Sequence, residues 1–414
     1  MSNNKATGED KIPVELIKYS PPSLIAEITK ILNNVFENAH DTINVGISIL
    51  LPLQKPNKPI GPLKNLRPIN LLNVIRKILS IITLNRIKDK TESYISPSQS
   101  AYRSNRSTTD IILAHRFICA KTQKYKNTEV KITGIDMSSA FDTIDRNELI
   151  ETLKDIIDSD EKRMCHLLLS NTKIRIKYGT HEQEEVKTNI GSPQGDAISG
   201  TFFNIAFENS LRTLRERMNS SEPSIEHSYA ASTKPPAELI YADDSDFVTE
   251  DLERDEKLNQ IVANVLKEHS LHVNNDKTEH TLIKRSKRNE EAWRNVIKLG
   301  CKLGDSEEIM NRKQKATAAM DYLKQIWYSR NHIHIKRKLN LYNTLVKPQF
   351  TNNIGTLGIT KAELDSLEAF HRRLLRTLWR NHKIRNERLY AISNAQPISQ
   401  EIKTARWRIL GHHL

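Results

Sequence analysis

The chain has 414 residues, 27% of them charged and 37% hydrophobic, which is a globular composition large enough for two or three domains. Its longest apolar stretch, around Val45 to Leu53, is too short for a membrane-spanning helix, and the polar start from Met1 to Lys11 carries no secretory signal. Cys119, Cys165 and Cys301 are too far apart for zinc spacing, and their odd number fits a reducing compartment. The net charge of +13 is unevenly spread: residues 281–414 hold 27 Lys and Arg against 11 Asp and Glu, whereas the first 280 hold 36 against 39. So basic a C-terminal third suggests a polyanionic partner, although a solvated basic surface would look the same.

In chain order, Ile47 to Leu53 reads as a strand and Gln54 to Asn65 as a loop rich in Pro, Lys, Asn and Gly. Leu71 to Ile87 has apolar residues at helical spacing (Val74, Ile75, Ile78, Leu79, Ile82) and a basic opposite side that includes Arg76 and Lys77. Thr108 to Ala120 is a second helix candidate. Val130 to Asp136 reads as a buried strand ending in a carboxylate, followed by helices over about 146–157 and 196–218. Leu239 to Val248 reads as strand, turn and strand. Beyond about Met320 the pattern is helical. There Thr360 and Glu363 predict a capping box for a helix with an apolar side (Leu364, Leu367, Phe370, Leu374, Leu378) and an arginine side (Arg372, Arg373, Arg376, Arg380). Mixed strands and helices without regular βαβ alternation predict an α+β fold.

Tyr241-Ala242-Asp243-Asp244 lies between two apolar runs, so a hairpin would carry both acids at its tip. Alone, the pair is an ordinary exposed turn. Asp136, at the end of another apolar strand, changes that: if strand and hairpin lie side by side, three carboxylates converge. Acids that repel one another require cations, and hard oxygen ligands suit Mg²⁺. Two such ions can activate a 3′-hydroxyl and stabilise departing pyrophosphate.

The chain resembles the reverse transcriptases of non-LTR (LINE-type) retrotransposons over nearly its full length. Residues 6–13 resemble their N-terminal extension. Asn65-Leu66-Arg67-Pro68-Ile69-Asn70-Leu71-Leu72, Gln99-Ser100-Ala101-Tyr102-Arg103 and Ser107-Thr108-Thr109-Asp110 resemble their fingers blocks. Asp136 to Ile144 resembles the first palm motif, Gly191-Ser192-Pro193-Gln194-Gly195-Asp196 the template-positioning loop, and Tyr241 to Asp244 the catalytic turn. Asn275-Asp276-Lys277-Thr278 resembles the fourth palm motif, and Leu299-Gly300-Cys301 stands where a primer-gripping hairpin belongs.

The resemblance implies a right-hand polymerase with fingers over 1–130, a palm with an antiparallel sheet over 131–305, and a basic helical thumb with a post-thumb segment over 306–414. It implies two Mg²⁺ ions, with Mn²⁺ as the alternative, on Asp136, Asp243 and Asp244. Phe141 would lie beneath the incoming sugar and exclude a 2′-hydroxyl, although without the motif it would read as a core residue. Arg67 would hold the triphosphate, with Lys64 either assisting or simply solvated. Lys277 would protonate the leaving pyrophosphate, or is an ordinary surface lysine. Gln194, Gly195 and Tyr241 would contact the nascent base pair and substrate. Asp196 and Asp246 depart from the pattern, and Asp246 either adds charge near the metals or faces solvent.

The implied partners are an RNA template, a DNA primer or target, and dNTPs, with no membrane. The implied location is intracellular: the nucleus for copying at a chromosomal target, the cytoplasm during RNA binding. The chain begins at the polymerase's own extension, so no upstream nuclease is expected. His412 and His413 lack the cysteines of a zinc knuckle. Two other readings stay open: a catalytically silent nucleic-acid-binding remnant, and a related polymerase such as a group II intron maturase. Phe141 disfavours an RNA-dependent RNA polymerase.

Overall fold

The computed structural model describes every residue except 39–45, 57, 126–127, 179–180, 219–235, 288–289, 329, 331 and 414. Helices α1 (Val14–Lys18) and α2 (Pro22–Asn38) lead into β1 (Ile47–Gln54), β2 (Leu66–Leu72), α3 (Val74–Tyr94) and α4 (Thr108–Lys124). Then come β3 (Glu129–Ile135), α5 (Arg146–Lys154), α6 (Ser159–Leu169), β4 (Thr172–Tyr178), β5 (His181–Thr188) and α7 (Ser199–Arg217). After β6 (Glu238–Tyr241), β7 (Asp244–Thr249) and α8 (Leu252–Glu268), the short strands β8 (Glu279–Lys284), β9 (Ile297–Lys298) and β10 (Cys301–Lys302) follow. The remainder is helical: α9 (Asp305–Leu323), α10 (Ile335–Leu341), α11 (Lys347–Thr351), α12 (Lys361–Trp379), α13 (Asn386–Ser393) and α14 (Ile398–His413).

Several helix starts follow from local chemistry. The expected capping box at Thr360 and Glu363 opens α12. Equivalent boxes open α4 (Ser107 with Asp110) and α6 (Asp158 with Glu161), and Asp145 accepts from the Asn147 and Glu148 amides at the head of α5. Elsewhere the expected limits shift. Leu71 and Leu72 end a strand rather than begin a helix, because β2 pairs with β1 through Ser48↔Leu72. Helix α7 begins at Ser199, after a turn that uses Asp196. Arg76, expected on a basic exterior, is fully buried.

One sheet has the order β2-β1-β4-β5: β1 runs antiparallel to β2 and parallel to β4, and β4 runs antiparallel to β5. A second has the order β6-β7-β3-β8. The chain divides into two compact units, one of Met1–Ser104, Thr133–Phe247 and Asp251–Glu279, the other of Asn105–Ile132, Val248–Glu250 and His280–Leu414. The first is built around α7, whose Phe202, Phe203, Phe207 and Leu211 are buried with Ile135, Ile144, Leu168 and Val265. Helix α7 is buried on nearly every side over Ser199–Asn204, and its deeper polar residues are paired, Arg215 with Glu208 among them. In the second unit Tyr342, Phe350, Leu367, Phe370, Leu374 and Leu378 form a separate helical core. Among the described residues no helix is long and apolar enough to cross a membrane.

Candidate active site

The register of β6 and β7 ends at Tyr241↔Asp244, so the turn consists of Ala242 and Asp243 alone. The expectation of both acids at the tip therefore shifts by one residue: Asp243 is in the turn, and Asp244 opens β7 with its side chain exposed. Ala242 has φ of 57°, in the left-handed region that residues with a Cβ seldom occupy. Gln99 holds it there. The Ala242 amide donates to Gln99 Oε1 at 3.0 Å, and Gln99 Nε2 donates to the Ala242 carbonyl at 3.4 Å. Backbone bonds from Ile240 to Ser98 and from Ser100 to Ile240 lay the Gln99 segment alongside β6.

Asp136 follows β3 directly. Its carbonyl accepts from the Asn274 amide at 2.8 Å, and Ser138 donates to the His272 carbonyl at 2.8 Å, so residues 136–138 are stitched to the segment before Lys277. Lys277 Nζ then lies 2.8 Å from Asp136 Oδ2. Burial, and next the negative charge of Asp136, raise the Asp243 carboxyl above the usual carboxylate range; its own backbone N–H and Lys277 oppose the rise. Asp136, Asp243 and Lys277 thus form one electrostatic cluster. Among the described residues, no group of three or more His, Cys, Asp and Glu side chains is set to hold a metal ion.

Phe141 is half-buried and stacks on Phe203, with ring centroids 4.7 Å apart. Tyr102 meets it edge-on at 5.8 Å. Burial and then the charge of Asp243 raise the Tyr102 phenol, so this ring links Phe141 to the carboxylate cluster. Gln194 donates its side-chain amide to the Asp142 carboxylate at 3.3 Å and its carbonyl accepts from the Asn70 amide at 3.0 Å. Gly195 is exposed at φ of 110°, and a Cβ there would sit 3.1 Å from the Asn70 carbonyl, so the residue type is dictated by conformation and by closeness to β2.

The remaining site candidates fall as follows. Arg67 is exposed on β2 opposite Leu53, and Tyr241 is half-buried opposite Asp244. Lys64 belongs to a single 3₁₀ turn, Leu63–Asn65, and its side chain lies outside the described residues. Asp246 does not face solvent: it is buried, opposite Leu239. Asp196 is buried in an ion pair with Arg76. Sequence reasoning missed Gln99 and Tyr102 as individuals, although both lie in a quoted motif, and it missed the role of Arg76 entirely.

Residues 53–325 match the reverse transcriptase (RNA-dependent DNA polymerase) family. The chain is 23% identical over 270 residues to the transposon TX1 uncharacterized 149 kDa protein of Xenopus laevis, covering 64% of this chain and 20% of that protein. It is 22% identical over 205 residues to the RNA-directed DNA polymerase from mobile element jockey of Drosophila melanogaster, covering 49% of this chain and 22% of that one. Among solved structures, apo telomerase from Candida tropicalis is 13% identical with a TM-score of 0.48, covering 94% of this chain and 68% of that one, too distant a likeness to add to the assignment.

The chain belongs to the reverse transcriptase family, with the α+β right-hand polymerase fold, and its kinship with non-LTR retrotransposon enzymes is borne out. It spans about a fifth of the length of these curated relatives.

Proposed function

We propose that the chain copies RNA into DNA, adding deoxynucleotides to a primer 3′-hydroxyl as the polymerase module of a non-LTR retrotransposon. Its partners are then an RNA template, a DNA primer and dNTPs, and its place of work is the nucleus after RNA is bound in the cytoplasm. Residues 1–130 would act as fingers, 131–305 as palm and 306–414 as thumb. The observation that carries the reading is the sheet order β6-β7-β3, in which the strand that ends just before Asp136 neighbours the strand that Asp244 opens, with Asp243 in the turn between β6 and β7. The charge of Asp136 accordingly adds to the burial that raises the Asp243 carboxyl.

That donor set fits Mg²⁺. The ion usually takes one or two carboxylates and completes its shell with water and phosphate oxygens, so a closed three-acid cage is not needed. Asp136 and Asp243 would be the principal ligands, with exposed Asp244 joining them; the Lys277 ammonium on Asp136 is in keeping with a carboxylate there that takes a positive partner. When bound, the ions would lower the pKa of the primer hydroxyl and neutralise charge on the leaving pyrophosphate. The chain's own residues orient the reactants. Phe141 forms the floor under the sugar, Gly195 lets backbone approach the nascent pair, and Arg67 meets phosphate oxygens with a planar fork. Lys277, 63% exposed, is free to turn from Asp136 toward pyrophosphate and deliver a proton.

Primer extension on an RNA template with Mg²⁺ and dNTPs tests this. Asp243→Asn is expected to lower extension by about a thousandfold, equivalent to about 4 kcal/mol of transition-state stabilisation, while template binding stays within a few-fold. A fully active variant would end the assignment. Wild-type protein that binds template in a salt-dependent way but never extends would mark a silent binding remnant.

A further inference from the structure

The loop from Gly191 to Asp196 is held at its two ends by two arginines. At one end Arg146, the first residue of α5, donates from Nε to the Gly191 carbonyl at 2.7 Å and from Nη2 to the Ile190 carbonyl at 3.0 Å. Its Nη1 reaches the Leu169 and Thr188 carbonyls and the Thr172 hydroxyl, all within 2.8 Å. At the other end Asp196 Oδ2 accepts from Arg76 Nε at 3.0 Å. Arg76 is 1% exposed, and its Nη2 donates to the Leu168 carbonyl at 2.7 Å. Burial, and then the charge of Arg76, bring Arg146 down to about 10, so the two guanidiniums feel each other.

Between these anchors the loop is bonded to the turn that carries Phe141. The Gly191 amide donates to the Ile144 carbonyl at 2.8 Å and the Ser192 amide to the Phe141 carbonyl at 2.9 Å. Gln194 adds its bond to Asp142. A Cβ on Gly191 would lie 2.7 Å from the Asp142 carbonyl oxygen, so loop and turn are in direct backbone contact. A shift of one must move the other.

Stability alone would not select the Arg76–Asp196 pair. Asp196 Oδ1 is buried with no hydrogen-bond partner among the described residues, and apolar residues of similar volume commonly match or exceed a buried ion pair. What a guanidinium–carboxylate bond supplies beyond an apolar contact is a fixed direction.

We infer that the Arg76–Asp196 pair, with Arg146 at the opposite end of the loop, is a positioning device that fixes Phe141 and Gln194 against the incoming nucleotide and thereby sets sugar discrimination. This rests on the roles proposed above for those two residues. Arg76, Asp196 and Arg146 touch no substrate themselves; they act through the loop.

The test compares wild type with Asp196→Asn, with Arg76→Lys, and with the apolar pair Arg76→Met plus Asp196→Leu. If Asp196→Asn fails to fold because Arg76 is left buried and unpaired, the apolar pair carries the test, since it removes both charges together. Two readouts are taken: hydrogen exchange over 190–196 and 141–144 in free protein, and primer extension with competing dNTP and rNTP. The apolar pair is expected to speed exchange in both segments while the α7 core stays protected. It should also raise KM for dNTP and weaken ribonucleotide rejection, each by about tenfold, with kcat changed less. Arg76→Lys, which can reach Asp196 or the Leu168 carbonyl but not both, should fall between.

A variant that lowers thermal stability while leaving segment exchange and discrimination at wild-type values would overturn the inference. If wild type extends no primer, the polymerase reading falls separately. The exchange data then decide the anchoring by themselves, and unchanged exchange sinks it.

Discussion

His371 gives the sharpest test of the second unit. It lies on α12 with no exposed surface, parallel to the Tyr342 ring at a centroid distance of 6.1 Å and flanked by Phe350 and Tyr390 at 5.7 and 5.9 Å. Among the described residues, neither ring nitrogen has a hydrogen-bond partner. Burial, followed by the charges of Lys347 and Arg372, lowers its pKa to about 4, with Glu368 opposing. The folded unit therefore holds a neutral imidazole that the unfolded chain protonates near 6.5. With the folded pKa below the unfolded one, the contribution to stability is complete above about pH 6.5 and is lost as pH falls toward 4. The shift corresponds to about 3 kcal/mol in total, of which about 2 kcal/mol is lost between pH 7 and pH 5.

His371→Phe keeps the aromatic packing, removes two unsatisfied nitrogens and removes the proton site, so at pH 7.5 it should be neutral or stabilising by about 1 kcal/mol. All four tryptophans (Trp293, Trp327, Trp379 and Trp407) belong to the second unit, which makes their fluorescence a local reporter of its urea unfolding. The wild type should lose about 2 kcal/mol more than His371→Phe between pH 7 and pH 5. Equal pH dependence in the two proteins would refute the reasoning.

Three further outcomes follow from the first unit. Phe141→Ala should admit ribonucleotides, seen as a ratio of dGTP to GTP incorporation in primer extension that falls by about tenfold or more; an unchanged ratio removes the gate. Gln99→Ala should release the Ala242 turn and cut extension by about tenfold, with global stability within about 1 kcal/mol by circular dichroism; full activity would show that the turn holds itself. Arg215 donates to Glu238 at 3.0 and 2.8 Å and to Glu208 at 2.7 Å, all three residues buried, so Arg215→Met leaves Glu238 without this cation and Glu208 with Arg212 at 3.5 Å. Its expected cost is about 3–5 kcal/mol of urea stability, and a loss under 1 kcal/mol would show that water reaches the site.

The elements legible in the sequence are those fixed by local chemistry. The Thr360–Glu363 box, the strand before Asp136 and the β6–β7 hairpin each need only neighbours a few residues away. The sheet β2-β1-β4-β5 was not legible, because β1 and β4 pair across more than a hundred residues through Ile47↔Lys173. For the same reason Leu71 and Leu72 read as helix: their apolar pattern is ambiguous, and only pairing with β1 makes them strand. Arg76 failed differently. On a helical wheel a lone arginine belongs outside, and nothing within α3 announces an acid 120 residues away that draws it in. Asp196 itself departs from the family pattern, and an acid in a loop of small residues points to a buried cation.

The candidate site also explains why its parts look unfavourable one at a time. Ala242 sits in a left-handed conformation, the Asp243 carboxyl is raised by burial and by the charge of Asp136, and Asp196 keeps one oxygen without a partner among the described residues. Each such feature is unstable alone and persists only when its surroundings over-determine it. Those surroundings are visible: Gln99 on both backbone groups of Ala242, Lys277 on Asp136, Arg76 on Asp196. Releasing Gln99 or Lys277 would let its partner relax while the apolar contacts that bury Phe202, Phe207 and Leu211 of α7 stay in place. Strain held by polar contacts at Gln99 and Lys277 means that single substitutions there should alter catalysis far more than stability, while substitutions at Phe202 or Phe207, or of one partner of the buried Arg76–Asp196 pair, should also cost stability.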